Sequence, residues 1–184
     1  TRNCTVTRVR ADDYDSKAST ILDSAAALFA EVGCPGAKMQ DIAAACGASK
    51  ARLYHYYESK EAILFDLLER YTQKLLVIIG QAQATAQRQA LDERATLHEL
   101  IRAFQREYET SATRHAALLG STQFLGPVQR EVILDRQRDV VSAVTRFLRR
   151  AYPERVQPQN QTAVAMTLFG MINWTFTWLR PDGP

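Results

Sequence analysis

Long hydrophobic runs are missing from these 184 residues, so no stretch reads as a membrane span, and the N-terminus carries no signal-peptide pattern. Cysteine is scarce. Cys4, Cys34 and Cys46 are odd in number and lack metal-ligand spacing, which excludes a disulfide framework and predicts reduced thiols in the cytoplasm. Small buried fillers are the plainer reading of these thiols, and a redox sensor is the sharper one. Histidine is equally thin, at His55, His98 and His115. His98-Glu99 has no second histidine at zinc-protease spacing, and no Glu-x-x-His di-iron pair exists. A P-loop, a dinucleotide-binding glycine pattern and a nucleophile elbow are also absent. The sequence therefore predicts neither an enzyme nor a cofactor or metal site. Strand-type alternation, internal repeats and sustained heptads are lacking too, so the expected fold class is all-α.

Charge of one sign is also in short supply. The net charge is +3, and residues 1–60 hold eight Lys/Arg against seven Asp/Glu. Any affinity for a polyanion must come from local placement rather than from the whole-chain field.

Residues 40–57 supply such a placement. Ala43, Gly47 and Leu53 sit at the offsets that a helix-turn-helix requires. A small residue at 43 lets the second helix cross close above the first, and Gly47 accepts the positive-φ turn between them. Leu53, joined by Ile42, points back into the angle between the helices. Ser49 is an N-cap, and Lys50, Arg52, Tyr54 and His55 face outward with no acid from Ser49 to Tyr57. Tyr57 is assigned to the core. An ordinary αα-corner with a polar face is the bland alternative, and short motifs of this kind do occur by chance.

The flanks favour the sharper reading. Ile21, Leu22, Ala25, Leu28, Phe29 and Val32 make one stripe of a helix that Gly33 and Pro35 stop. Ser59 caps a long helix whose Leu64, Leu67, Leu68, Tyr71, Leu75, Ile78 and Ile79 recur at the helical period.

With these residues in place, the sequence resembles the TetR family of bacterial transcription regulators over about residues 17–70. The matching runs are 21–25, 28–33, 41–50, 53–57 and 59–64, in order. The resemblance implies an N-terminal three-helix DNA-binding domain (17–62), joined by a long helix to a helical-bundle domain for effector binding and dimerisation (63–184). Residues 1–16, which mix arginines and aspartates without periodicity, read as a flexible arm. By the resemblance, Tyr54, Tyr56 and Lys60 clamp phosphate. Lys38 stands where the family usually has a capping Thr or Ser; a lysine reaches phosphate but does not cap. Arg52 is the candidate for base contact, because a guanidinium binds guanine bidentately, with Lys50 and His55 reaching bases or phosphate. Cys34 replaces an aromatic common after the glycine that ends the first helix.

Downstream, every signal stays helical. The helix after the Ala/Gln-rich stretch starts at Asp92 or at the capping box Thr96…Glu99. Leu97, Leu100, Ile101, Phe104 and Tyr108 form its stripe, residues 116–124 make a short helix, and Val132 to Tyr152 a long one stopped by Pro153. The last helix, from Pro158 to about Leu179, is apolar on two sides. Ala165, Leu168, Phe169, Ile172, Phe176 and Leu179 make one face; Met166, Gly170, Trp174 and Trp178 make another. A helix apolar on two sides must be covered on two sides: one face can pack inside the subunit, and the other needs a partner chain, a ligand or both.

The expected protein is a homodimeric repressor that binds a palindromic double-stranded DNA operator and releases it to a small hydrophobic, aromatic or acyl-CoA effector. Candidate effector-site residues are Phe104, Tyr108, Phe124, Asn173 and Trp174. The acyl-CoA suggestion rests on the likeness of residues 171–184 to a subgroup of such regulators that senses fatty-acid or aromatic thioesters. Chains of that subgroup continue into one more helix, so the stop at Pro184 predicts a trimmed C-terminus. The rival is a helical small-molecule or partner-binding protein of the same fold without DNA binding. The joint presence of Lys50, Arg52, Tyr54 and Lys60 argues against it.

Overall fold

The computed structural model describes residues 3–178, with side-chain surroundings for 14–175, and within these limits every regular element is helical. The helices are α1 (Asn3–Gly36), α2 (Met39–Ala45), α3 (Lys50–Tyr56), α4 (Lys60–Arg88), α5 (Glu93–Thr110), α6 (Ala112–Ser121), α7 (Pro127–Ala151) and α8 (Gln161–Trp178). A 3₁₀ turn at Thr122–Phe124 joins α6 to α7. The helical path starts at Asn3, within the stretch 1–16 that reads in sequence as a flexible arm. Ala18, 1% exposed and four residues before Leu22, shows that the buried stripe of α1 continues upstream of its obvious part.

Two compact units divide the chain. The first runs up to Leu68 and includes Thr113–Arg130; the second holds Glu69–Ala112 and the residues from Glu131 on. In the first unit α1 breaks at Gly33 (φ 73, ψ 159), as the Gly33/Pro35 pair requires. Ile21, Leu22, Ala25, Phe29, Ile42, Leu53, Ile63 and Leu64 fill its core. Val32, expected on that stripe, is 48% exposed, because the break ends the buried face before it. Arg114 of α6 holds the Asp23 carboxylate of α1 through its Nε, at 3.1 Å, and its Nη2.

In the second unit Phe104 of α5 meets Phe169 of α8 at 6.2 Å between ring centroids. Val144, Phe147 and Leu148 of α7 are buried as well. Asp92 is the cap of α5, accepting from the Ala95 amide at 2.7 Å, so the earlier of the two expected starts is the real one. Arg94 then donates through Nε to Ala151 O at 3.2 Å and lies 4.9 Å over the Tyr152 ring, closing the C-terminus of α7. Glu107 is buried and doubly paired, with Lys74 Nζ at 2.7 Å and the Ser111 hydroxyl at 2.6 Å.

The end of α4 carries strain that a substitution relieves. Leu91 N donates to Ala86 O at 3.0 Å and Ala90 N to Gln87 O at 3.4 Å, the bonding pattern of a Schellman cap. That cap puts Ala90 at φ 50, a left-handed conformation that an L-residue with a Cβ disfavours by about 1 kcal/mol. Ala90→Gly is therefore expected to raise unfolding free energy by about 1 kcal/mol in urea melts, although glycine costs more backbone entropy.

The thiols generate a second prediction. Cys34 is 1% exposed, and burial pushes its thiol up from the ordinary value against the opposing pull of Lys60. Cys46 is half-buried, its Sγ 3.4 Å from Ala43 O. Iodoacetamide at neutral pH should label Cys46 well before Cys34 in peptide mapping of the folded protein. Equal labelling would mean that the Cys34 site opens readily. Cys4 lies outside the residues whose side chains are described.

Candidate nucleic-acid interface

The turn between α2 and α3 forms as its residues dictate. Gly47 adopts φ 66, and Ala48 N donates to Ala43 O at 2.9 Å, folding the chain back over α2. Ser49 Oγ accepts from the Arg52 amide at 3.2 Å, which satisfies one of the amides that a helix start leaves unpaired. Leu53 is fully buried, as is Ile42, with Ala43 beside them at 3% exposure. Leu53 is the only fully buried side chain of α3, so the rest of that helix is free to point away.

Lys50, Arg52, Tyr54 and His55 all do so. Lys50 Nζ lies 5.9 Å from the Tyr54 ring centroid, which groups a cation and an aromatic at the start of the helix. Tyr56 is less free than expected. Its ring stacks on Tyr14 of α1 at 4.7 Å and meets His55 edge-on at 5.8 Å. Lys38 precedes α2 with extended backbone (φ −115, ψ 149) and makes no side-chain cap, as its chemistry requires. Tyr57 is half-buried rather than core, and its hydroxyl donates to Asp66 Oδ2 at 2.6 Å.

Lys60 already has partners within the protein. Its ammonium has three donors, and they meet three main-chain carbonyls: Cys34 O at 2.8 Å, Pro35 O at 3.1 Å and Ala37 O at 3.1 Å. These acceptors lie just past the break in α1, where carbonyls have no continuing helix to pair with. An ammonium so placed clamps the protein's own backbone at this corner.

Two residues that sequence reasoning missed line the same surface. Tyr14 supports Tyr56, and Lys17 lines, with Thr20, Arg52 and Tyr56, a cavity of about 110 Å³ beside the turn. Their signal was the upstream continuation of the α1 stripe through Ala18.

The effector candidates are less unified. Phe104 and Tyr108 are buried, stacked at 6.0 Å, and share the second unit with Phe169. Burial first, and the Glu107 charge second, hold the Tyr108 phenol well above its ordinary value, so it stays neutral. Asn173 is half-buried, and Trp174 is 67% exposed. Phe124 belongs to the first unit and is exposed. Met166 and Met171 are exposed on α8, while Ala165, Phe169 and Ile172 are buried, which reproduces the expected two-sided helix. The Phe176 and Trp178 side chains and Leu179 lie outside the described residues. An open groove of about 620 Å³ runs along α7 beside Met166, lined by Leu134, Val141, Arg146 and Arg149 among others. No helix among the described residues is long and apolar enough to cross a membrane.

A capped seven-residue helix held by one leucine, with basic and aromatic side chains turned outward, defines a helix-turn-helix reader. Residues 21–67 match the family described as "Bacterial regulatory proteins, tetR family", and residues 90–184 match "Tetracyclin repressor-like, C-terminal domain". A TetR-family transcriptional regulator from Bordetella parapertussis is 34% identical, with a TM-score of 0.82 over 90% of this chain and 85% of that one. AibR, solved with isovaleryl coenzyme A and operator DNA, is 27% identical, with a TM-score of 0.76 over 91% of this chain and 90% of that one. The HTH-type transcriptional repressor KstR2 of Rhodococcus jostii strain RHA1 is 34% identical over 59% of this chain; the match spans 51% of that repressor's length. The chain belongs to the TetR family of bacterial regulatory proteins.

The geometry of α3 makes Arg52 the sharpest test of this surface. Arg52→Ala is expected to cost about 1–3 kcal/mol of operator affinity and to relax base preference at one position in each half-site. Competition against a library of single-base operator variants reads both effects. Unchanged affinity and preference would remove Arg52 from base recognition.

Proposed function

We propose that this chain is a homodimeric, cytoplasmic transcriptional repressor that places the Lys50–Tyr56 helix of each copy in a major groove of a palindromic operator. The observation that carries the reading is the outward exposure of Lys50, Arg52, Tyr54 and His55 around a single buried anchor, Leu53. Arg52 reads base edges; Lys50, His55, Tyr54 and Lys38 reach bases or phosphate. Tyr56 contributes its hydroxyl from a ring already stacked on Tyr14. A gel shift on DNA flanking the protein's own gene tests this directly, and a family member that had lost DNA binding would give no retarded band at low salt.

Dimerisation follows from the second face of α8. Met166, Met171 and Trp174 are large and exposed on one helix, a concentration of apolar surface that a monomer leaves unfavourably hydrated. Light scattering at micromolar concentration is expected to give twice 20.7 kDa. A monomer there would remove the twofold reading of DNA.

The effector we infer is a small apolar or aromatic acid, or its coenzyme A thioester. Two things support this: the aromatic interior formed by Phe104, Tyr108 and Phe169, and the likeness to AibR, which was solved with isovaleryl coenzyme A. Such a ligand induces release only if it favours one arrangement of the two DNA-reading heads over the other. Titration of acyl-CoA thioesters and free aromatic acids, with tryptophan fluorescence and operator release read in parallel, is expected to move both signals together. Quenching without release would uncouple the site from DNA.

A further inference from the structure

We propose that the first two turns of α4 position the recognition helix through two polar ties, and that Lys60 and Tyr57 set operator affinity without touching DNA. The proposal rests on the DNA-binding reading and deepens it.

The first tie is the Lys60 ammonium on the carbonyls of Cys34, Pro35 and Ala37. These acceptors belong to the corner between α1 and α2, where Gly33 breaks the helix and Pro35 has no amide hydrogen to offer. Three converging carbonyl dipoles are a strong partner for a point charge. The second tie is the Tyr57 hydroxyl on Asp66 Oδ2 at 2.6 Å, a short charge-assisted bond at the C-cap of α3. Lys60 and Asp66 stand six residues apart on α4, and they reach the two opposite ends of the helix-turn-helix.

A capping lysine alone would explain the first tie as local stability. The pair of ties does more, because α3 has only seven residues and one buried anchor. A single buried leucine fixes how deep a helix sits, and with only the part-buried Tyr56 ring stacked on Tyr14 beside it the rotation about that contact stays soft. Tethering the corner before α2 and the end of α3 to the same rigid segment removes that rotation. Base contacts require placement within a fraction of an ångström, whereas counterion release requires only proximity. The ties should therefore govern specific affinity and leave non-specific affinity alone.

Lys60→Met and Tyr57→Phe test the proposal in the full-length protein. Each variant is expected to lose about tenfold in operator affinity, the worth of one charge-assisted hydrogen bond. Affinity for a random duplex and the slope of log K against log salt should stay at wild-type values. In the free protein, amides of residues 50–57 should exchange hydrogen faster than in wild type, which a loss confined to global stability would not single out. Tyr57→Phe keeps the ring and guards against simple unfolding of the lysine variant. A slope shallower by about 0.9 in Lys60→Met, with equal losses on operator and random duplex, would make Lys60 a phosphate contact and overturn the proposal. Unchanged affinity and unchanged exchange would overturn it as well. If wild-type protein bound no duplex, the DNA reading would fall, and the exchange arm would still decide whether the ties hold the helix.

Discussion

The burial of one side chain, Leu53, is the constraint on which the reading of DNA depends. A seven-residue helix is too short to persist alone in water, since nucleation outweighs the few bonds that it makes. Leu53 and Ile42, both fully buried, supply the missing stability by filling the angle between α2 and α3. Replacing such a leucine by alanine typically costs about 2–5 kcal/mol, a large part of a small unit's stability. The positive-φ turn at Gly47 and the Ser49 cap are the conditions under which that leucine points inward. Everything outward on α3 is then available for recognition.

Polar contacts refine what burial sets. The same economy recurs across the chain: Arg94 closes α7, Asp92 opens α5, and Glu107 is buried only with Lys74 and Ser111 as partners. Removing one partner of a buried carboxylate leaves a charge uncompensated, which is why such groups come in sets. Lys60 follows the same pattern, with three backbone carbonyls as its partners. Its position at the start of α4 is the one the family likeness singles out, but its donors face the protein's own corner.

What was legible in the sequence was local. The Ala43–Gly47–Leu53 spacing, the Ser49 cap, the break at Gly33 and the stop at Pro153 each follow from a few neighbouring residues. The structure reproduces them. The start of α1 was hidden because residues 3–16 are too polar to show a period. The fate of Lys60 was hidden because its acceptors lie more than twenty residues away and are main-chain atoms, which no side-chain pattern marks. Phe124 was grouped with Phe104 and Tyr108 on chemistry alone, and three-dimensional contacts assign it to the other unit. Ala90 escaped notice because alanine carries no signal for the left-handed cap that glycine usually fills. The two-sided character of α8 was legible, since period alone separates Phe169 and Ile172 from Met166 and Trp174.

The central claim is that two copies of α3 read two halves of one operator. Hydroxyl-radical footprinting on a duplex selected by the protein from a random library tests it most directly. The account predicts two protected patches related by a dyad, with centres about one helical turn or a multiple of it apart. It also predicts that Leu53→Ala erases both patches together. A single protected patch, or protection that tracks charge density with no dyad, would contradict it.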